Sequence, residues 1–186
     1  IMTAILAIEM GKLTDIITVD NETPHEIDGS HIALEAGEIL TLKDLLYALM
    51  LPSANDAASV IAKHYGKSLD GFVKIMNEKA KELGAYNTNF ENPHGLHNEN
   101  HYTTAADLAL ITKYAMENET FRKIVATTRY EIQTTNKKHE PRPFTTLNKL
   151  LYNNNNNQIL VNGAYISPYY EYAAGAKTGY TPEAGN

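Results

Sequence analysis

A chain of 186 residues, 43% hydrophobic and 20% charged, is long enough to bury a real core and suits one globular domain, or one domain plus part of another. Its formal charge of −6, with 16 Lys+Arg against 22 Asp+Glu and no concentrated basic stripe, argues against nucleic acid as the main partner. The absence of cysteine excludes disulfides and Cys-based zinc sites, and the longest apolar runs, such as Leu45–Leu51, are too short to span a bilayer.

Ile1 to Glu9 reads as a helix already under way, with no N-cap before it and no basic leader. Leu13 to Val19 alternates apolar and polar residues and predicts a short strand. Ile32, Leu34 and the Gly37-Glu38 pair predict a second extended piece. Thr41 then caps a helix, with Asp44 at the capping-box position and Leu42, Leu45, Leu46, Leu49 and Met50 on one apolar face. Pro52 stops that helix and biases Leu51 away from helical dihedrals. A short polar turn, Ser53-Ala54-Asn55, leads to a second helix, which Asn55 or Asp56 can cap and Gly66 can end.

Asp70 can open a further helix with Phe72, Ile75, Met76, Lys79, Ala80 and Leu83 on its stripe, Lys74, Glu78, Lys81 and Glu82 in solvent, and Gly84 as its stop. Residues Ala85 to Tyr102 have no period and are rich in Asn, His, Gly and Pro, the composition of a long functional loop. Thr103 or Thr104 caps the next helix, from Ala105 to Met116, and Asn118 opens a shorter one through Val125. Beyond Thr127 the pattern turns to strands. Tyr130, Ile132 and Thr134 share one face, Lys137 to Pro143 forms a turn or loop, and Asn153 to Asn157 forms an exposed tip. Ile159 to Ile166 and Tyr169 to Lys177 then make a final extended pair. A helical middle flanked by strands from both ends is an α+β pattern.

Ser53 and Asn55 sit between two buried helices, so their side chains must satisfy the turn's own backbone or face a cleft. Ala176-Lys177-Thr178-Gly179-Tyr180 supplies a cation, a hydroxyl and a residue without a side chain, a set suited to an extended peptide and its terminal carboxylate. Each triplet alone is ordinary turn chemistry. Together, Ser-x-Asn after a helix and a distant Lys-Thr-Gly are two of the signatures of penicillin-binding proteins and class A β-lactamases.

The stretch from Thr41 to Ala58 resembles the D-alanyl-D-alanine carboxypeptidases, the low-molecular-mass penicillin-binding proteins. Asn89-Phe90-Glu91-Asn92-Pro93-His94-Gly95-Leu96 and Lys177-Thr178-Gly179-Tyr180-Thr181-Pro182-Glu183-Ala184-Gly185-Asn186 are similar to the same family, in the same order. The resemblance implies a β-lactamase/transpeptidase-like α+β fold, an antiparallel sheet packed with helices plus a helical lobe, here roughly 41–126, and incomplete at both ends. It also implies serine acyl transfer on peptidoglycan stem peptides ending in D-Ala-D-Ala, inhibition of the complete domain by β-lactam antibiotics, no cofactor, and a place in the bacterial cell envelope. A membrane anchor is expected only in the full-length protein.

By match, Ser53 relays a proton towards the leaving amine and Asn55 hydrogen-bonds the acyl side of the substrate. Lys177 and Thr178 take the terminal carboxylate, Gly179 lets the peptide backbone approach closely, and the Tyr180 N–H donates to the oxyanion. His94 lines the cleft or orders its loop. The nucleophile motif Ser-x-x-Lys is missing. Ser30, Ser53, Ser59, Ser68 and Ser167 are followed three positions on by Ala, Asp, Ala, Gly and Tyr. In the family that motif immediately precedes a segment like Ile1-Met2-Thr3-Ala4, so the chain reads as a fragment that begins just after it and is inactive as written.

Other readings are a β-lactamase-like hydrolase or a non-catalytic peptidoglycan-binding module. Against the first, Phe144 stands where class A β-lactamases carry the deacylating Glu of Glu-x-x-Leu-Asn. His94, His97 and His101 with Glu91 and Glu99 match no metal-ligand spacing, and no metal site is expected. Tyr165, Tyr169, Tyr170 and Tyr172 read as half-buried strand residues or as stacking surfaces for sugars. An incomplete sheet also predicts exposed apolar surface and poor solubility of the fragment.

Overall fold

The computed structural model describes residues 1–26, 28–153 and 158–183. The last four positions of the Asn153–Asn157 run and the Ala184-Gly185-Asn186 end of the last motif lie outside the described residues.

Helix α1 (Met2–Met10) is buried along Met2 to Ala7 and packs against the later helices. Strand β1 (Ile16–Thr18) pairs antiparallel with β2 (Ile39–Thr41), Ile17 opposite Leu40. Between them lie the short helix α2 (Thr23–Glu26) and a loop in which Ile32 and Leu34 are buried without being a strand. The expected second extended piece therefore begins later, at Ile39. The reason is local: the N–H groups of Ile32 and Leu34 both donate to the Asp56 carboxylate, each at 3.1 Å, instead of to a neighbouring strand.

Helix α3 (Leu42–Met50) starts at the expected capping box of Thr41 and Asp44. Leu51 differs from expectation. It keeps helical dihedrals (φ −85°, ψ −68°) and donates its N–H to Tyr47, so the reversal falls on Ser53, at φ +64°. Helix α4 (Asn55–Gly66) has Ala54 as its N-cap and no side-chain cap. Asn55 and Asp56 lie inside the helix, with side chains turned to loop 28–34, though Asp56 Oδ1 also accepts from Ala57 N–H at 2.9 Å.

Gly66 is the last residue of α4 and Lys67 takes the left-handed position at φ +63°. A Cβ on Gly66 would lie 2.5 Å from both Cβ and N of Phe72, so glycine is needed here for close packing, not for a turn. Gly66→Ala is expected to destabilise the fold by about 1–3 kcal/mol through overpacking. A urea titration of the variant would show it as a lowered midpoint at unchanged slope.

Helix α5 (Leu69–Glu82) is capped by Ser68, two residues before the anticipated Asp70, and buries Phe72, Met76 and Ala80. Helix α6 (Ala105–Glu117) is capped by Thr104 and α7 (Glu119–Val125) by Asn118. The intervening loop is ordered by side-chain bonds: Asn77 and Phe90 exchange two, at 2.7 and 2.9 Å, and Asp107 accepts from Asn87 N–H and from the Thr88 hydroxyl. Long loops with this many polar anchors hold one conformation.

Strands β3 (Arg129–Ile132) and β4 (Arg142–Thr145) form a hairpin. Pro143, expected in the turn, lies within β4 opposite Glu131, which a two-stranded ladder allows because both of its strands are edges. The hairpin docks by a parallel stack of Tyr130 on Tyr47, with centroids 3.8 Å apart, and by Tyr130 Oη–H to Asp44 at 2.7 Å. Its far end is tied by Arg142 Nη2 to Glu38, a carboxylate with no exposed surface.

The last part also differs from expectation. Ile159 to Ile166 is itself a hairpin, β5 (Ile159–Val161) and β6 (Ala164–Ile166), around Asn162-Gly163 at φ +50° and +82°. Asn-Gly is the strongest short hairpin signal, and both residues are suited to positive φ. Tyr169 to Lys177 carries no strand. Tyr165, Tyr169, Tyr170 and Tyr172 are exposed, not half-buried, and Leu160 and Ile166 are exposed beside them.

The architecture is α+β, with helices α1 and α3–α7 contributing to a common core and, among the described residues, three separate two-stranded antiparallel ladders. No helix among the described residues is long and apolar enough to cross a membrane.

Candidate active site

A cleft of about 860 Å³ opens at the turn between α3 and α4. Ser53 and Asn55 line it from that turn, His94 from the long loop, and Lys177, Thr178, Gly179 and Tyr180 from the end of the chain. The seven residues that the family resemblance picks out are thus brought to one cleft. Ile1, Asp28 and His97 also line it; sequence reasoning gave them no role in the cleft. Asp28 carried no signal beyond an Asp-Gly turn.

The central contact is between Lys177 and Ser53. Lys177 Nζ donates to Ser53 Oγ at 2.7 Å, and also to the Thr178 carbonyl at 3.1 Å. Both sides of the contact rest on left-handed backbone without glycine, Ser53 at φ +64° and Ala176 at φ +67°. Such conformations cost about 1–3 kcal/mol each and persist where the surroundings enforce them. Here the enforcement is visible. Leu147 N–H donates to the Leu51 carbonyl at 3.3 Å, and Asn148 Nδ2 donates to the Gly175 carbonyl at 2.8 Å, so one segment braces both walls. A Cβ on Gly175 would lie 2.7 Å from the Val125 carbonyl oxygen, which seats the Lys177 segment against the end of α7.

Lys177 does not lie at the end of a strand as expected, since a strand exists only by pairing and residues 167–180 have no ladder partner among the described residues. Gly179 nevertheless faces open space, with nothing within 4 Å of where a Cβ would stand.

Burial lowers the Lys177 ammonium to about 8, close enough to neutrality for it to both hold a carboxylate and exchange a proton. Burial, with the charge of His101 adding to it, holds His94 at about 4. His94 Nδ1 accepts from Leu96 N–H at 3.2 Å, so the neutral ring carries its proton on Nε2. The backbone nitrogen of Ile1 is buried close to Lys177.

Asn55, 6% exposed, donates its side-chain N–H to the Asp28 carbonyl at 2.7 Å and its backbone N–H to Ser30 at 2.8 Å. Asp56 beside it holds the same loop through Ile32 and Leu34. Phe144 is not part of the cleft lining; it sits in β4 opposite Tyr130. His101 packs edge-on against Phe90, and among the described residues no three His, Cys, Asp or Glu side chains are placed to hold a metal ion.

A lysine cation thus stands beside a serine hydroxyl in an open cleft. The D-alanyl-D-alanine carboxypeptidase family model matches residues 1–186. The chain is 36% identical to D-alanyl-D-alanine carboxypeptidase DacF of Bacillus subtilis (strain 168), over 99% of its own length and 44% of the relative's. It is 31% identical to the D-alanyl-D-alanine endopeptidase of Escherichia coli (strain K12), over 100% of its own length and 55% of the relative's. The crystal structure of the Streptomyces K15 DD-transpeptidase superposes with a TM-score of 0.83 at 31% identity, covering 99% of this chain and 70% of that one. The D-alanyl-D-alanine carboxypeptidase of Mycobacterium tuberculosis H37Rv does so with a TM-score of 0.83 at 27% identity, covering 99% and 62%. The chain spans about half the length of the curated relatives it matches. With the family's motifs gathered in one cleft and its model matched from end to end, the chain belongs to the D-alanyl-D-alanine carboxypeptidase family.

Proposed function

We propose that this chain forms most of the cleft of a serine-type carboxypeptidase that removes the terminal D-alanine from peptidoglycan stem peptides in the bacterial cell envelope. The observation that carries the reading is the 2.7 Å contact between Lys177 and Ser53, made by residues 124 positions apart. The helical lobe, roughly 41–126, supplies Ser53, Asn55 and His94, and the chain end supplies Lys177 to Tyr180.

In this reading the nucleophile is the serine of a Ser-x-x-Lys motif that precedes Ile1 in a longer chain. Ile1 lines the cleft and its nitrogen is buried near Lys177, so residues attached there enter at the reacting centre. That serine adds to the carbonyl of the penultimate D-alanine, its proton passing to the motif lysine. The tetrahedral oxyanion accepts from the Tyr180 N–H. Collapse breaks the C–N bond, and the leaving amine takes its proton through Ser53, whose hydroxyl Lys177 orients. Water then repeats the addition and frees the acyl group. Asn55 keeps a second side-chain N–H for the acyl side, because only one is used by Asp28. β-Lactams acylate the same serine.

The test is release of D-alanine from an acyl-D-Ala-D-Ala peptide by the full-length protein. Lys177→Ala is expected to lower kcat/KM by about ten- to a hundredfold, the worth of one charge-assisted hydrogen bond. No release by the unsubstituted protein overturns the reading.

A pH dependence follows. Lys177 titrates near 8, so affinity for a carboxylate-terminated peptide is full below that pH and is lost as pH rises through it. The stability contribution has the opposite sign. Between about 8 and the unperturbed 10.5 the unfolded chain binds the extra proton, so the Lys177 contribution to stability rises with pH across that window. Peptide affinity measured from pH 6 to 10, beside thermal unfolding over the same range, separates the two.

A further inference from the structure

Ser53 and Lys177 are 124 positions apart in the chain, and behind their contact stands a third segment, residues 146–150, that does not line the cleft. Leu147 and Asn148 are neighbours in it, and each ties one wall. Leu147 N–H donates to the Leu51 carbonyl, two residues before Ser53, and Asn148 Nδ2 donates to the Gly175 carbonyl, two residues before Lys177. Walls anchored on neighbouring residues keep a fixed separation when the segment that joins them is rigid. Thr146 and Asn148 are both buried, Thr146 N–H donates to the Thr128 carbonyl at 2.9 Å, and Thr146 Oγ1 accepts from Asn148 N–H at 3.2 Å.

Asn148 uses both ends of its amide. Oδ1 accepts from Leu150 N–H at 3.1 Å and so caps the short 3-10 turn Lys149–Leu151, while Nδ2 donates to Gly175 at 2.8 Å. Only this orientation satisfies both partners, since one offers an N–H and the other a C=O. The Nδ2 bond holds the carbonyl of the peptide unit that leads into Ala176, and Ala176 is the strained residue, at φ +67°. An alanine without that restraint relaxes towards negative φ, where its Cβ is unhindered, and Lys177 turns with it.

We propose that Asn148 is a positioning residue for the cleft: through its Nδ2–H it holds the Gly175–Ala176 reversal and so sets Lys177 on Ser53 and on the terminal carboxylate of a bound peptide. This rests on the carboxypeptidase reading of the same cleft, and it traces the grip on the carboxylate to a buried residue outside the cleft lining. The competing role is local, a cap for the 149–151 turn alone, and it uses the other end of the amide.

The experiment is fluorescence anisotropy on the full-length protein with its nucleophilic serine changed to alanine. The probes are two peptides of one sequence, labelled at the N-terminus, one ending in D-Ala-D-Ala with a free carboxylate and one ending in the carboxamide. With Asn148 intact the carboxylate peptide should bind about tenfold tighter, the worth of one charge-assisted hydrogen bond. Asn148→Ser keeps a capping oxygen for Leu150 N–H but is too short to reach Gly175, and Asn148→Ala keeps neither bond. Both variants are expected to bring the two affinities to within about threefold. Added to Lys177→Ala, Asn148→Ser should change neither affinity by more than about twofold, because it acts through Lys177. Retention of the preference in Asn148→Ser overturns the positioning role and leaves the carboxypeptidase reading standing. A further loss of affinity for both peptides when Asn148→Ser joins Lys177→Ala does the same. Equal binding of the two peptides with Asn148 intact overturns the grip of Lys177 on the carboxylate, and the positioning role with it. Binding of neither peptide overturns both readings.

Discussion

Incubated with a labelled penicillin, the polypeptide Ile1–Asn186 acquires no covalent adduct, whereas a longer chain carrying Ser-x-x-Lys directly before Ile1 is labelled one to one. The expectation rests on the sequence and on the cleft together. No serine in the chain has lysine three positions on, and threonines with that spacing, such as Thr146–Lys149, do not line the cleft. Ser53 is hydrogen-bonded to a lysine, yet it belongs to Ser-x-Asn, and its hydroxyl is read here as a proton relay. In a serine hydrolase, loss of the nucleophile costs about 10⁶ in kcat. Stoichiometric labelling of Ile1–Asn186 at Ser53 would show that Ser53 and Lys177 form a competent nucleophile and base by themselves. That result would reassign both residues.

The second large effect is structural and lies away from the cleft. Glu38→Ala is expected to destabilise the fold by about 3–5 kcal/mol, the usual cost of leaving a buried ion-pair partner uncompensated. Glu38 is fully buried. It accepts from Arg142, from the Thr135 hydroxyl at 2.9 Å and from Glu35 N–H at 3.1 Å. Arg142 in turn donates to the Ile32 carbonyl at 3.3 Å, and Ile32 is held by Asp56. The pair therefore links β2 and the β3–β4 hairpin to the loop that closes on Asn55. The double variant Glu38→Ala/Arg142→Met should recover most of the loss, because it removes the unpaired charge instead of stranding it. Equal destabilisation of the single and double variants in urea would mean that the charge is not what matters.

Much of the fold is legible in the chain. The box at Thr41–Asp44, the Asn118 cap and the apolar stripe through Phe72, Met76 and Ala80 are local features, and each is found where the pattern puts it. The misreadings share one cause. Asn55 and Asp56 look like helix caps because their chemistry is right for a cap, but tertiary contacts with residues 28–34 take their side chains first. Gly66 does end its helix, but it is also small to admit Phe72, a neighbour that pattern reading does not weigh. Tyr169 to Lys177 reads as a strand from composition, but strand formation depends on a partner elsewhere in the chain. The Asn162-Gly163 hairpin is a different case: it is purely local, and reading Ile159 to Ile166 as one extended segment passes over its Asn-Gly signal.

The motifs carry the family, because Ser-x-Asn and Lys-Thr-Gly name the groups that acyl transfer on a peptide carboxylate needs. What the sequence by itself determined was this chemical inventory and the helices that present half of it. Only the tertiary structure decided that Lys177 stands 2.7 Å from Ser53, that burial brings its ammonium down to about 8, and that Asp28 joins the same wall. Distances between residues far apart in the chain, and the desolvation that shifts a proton affinity, are properties of packing, and no local pattern encodes them.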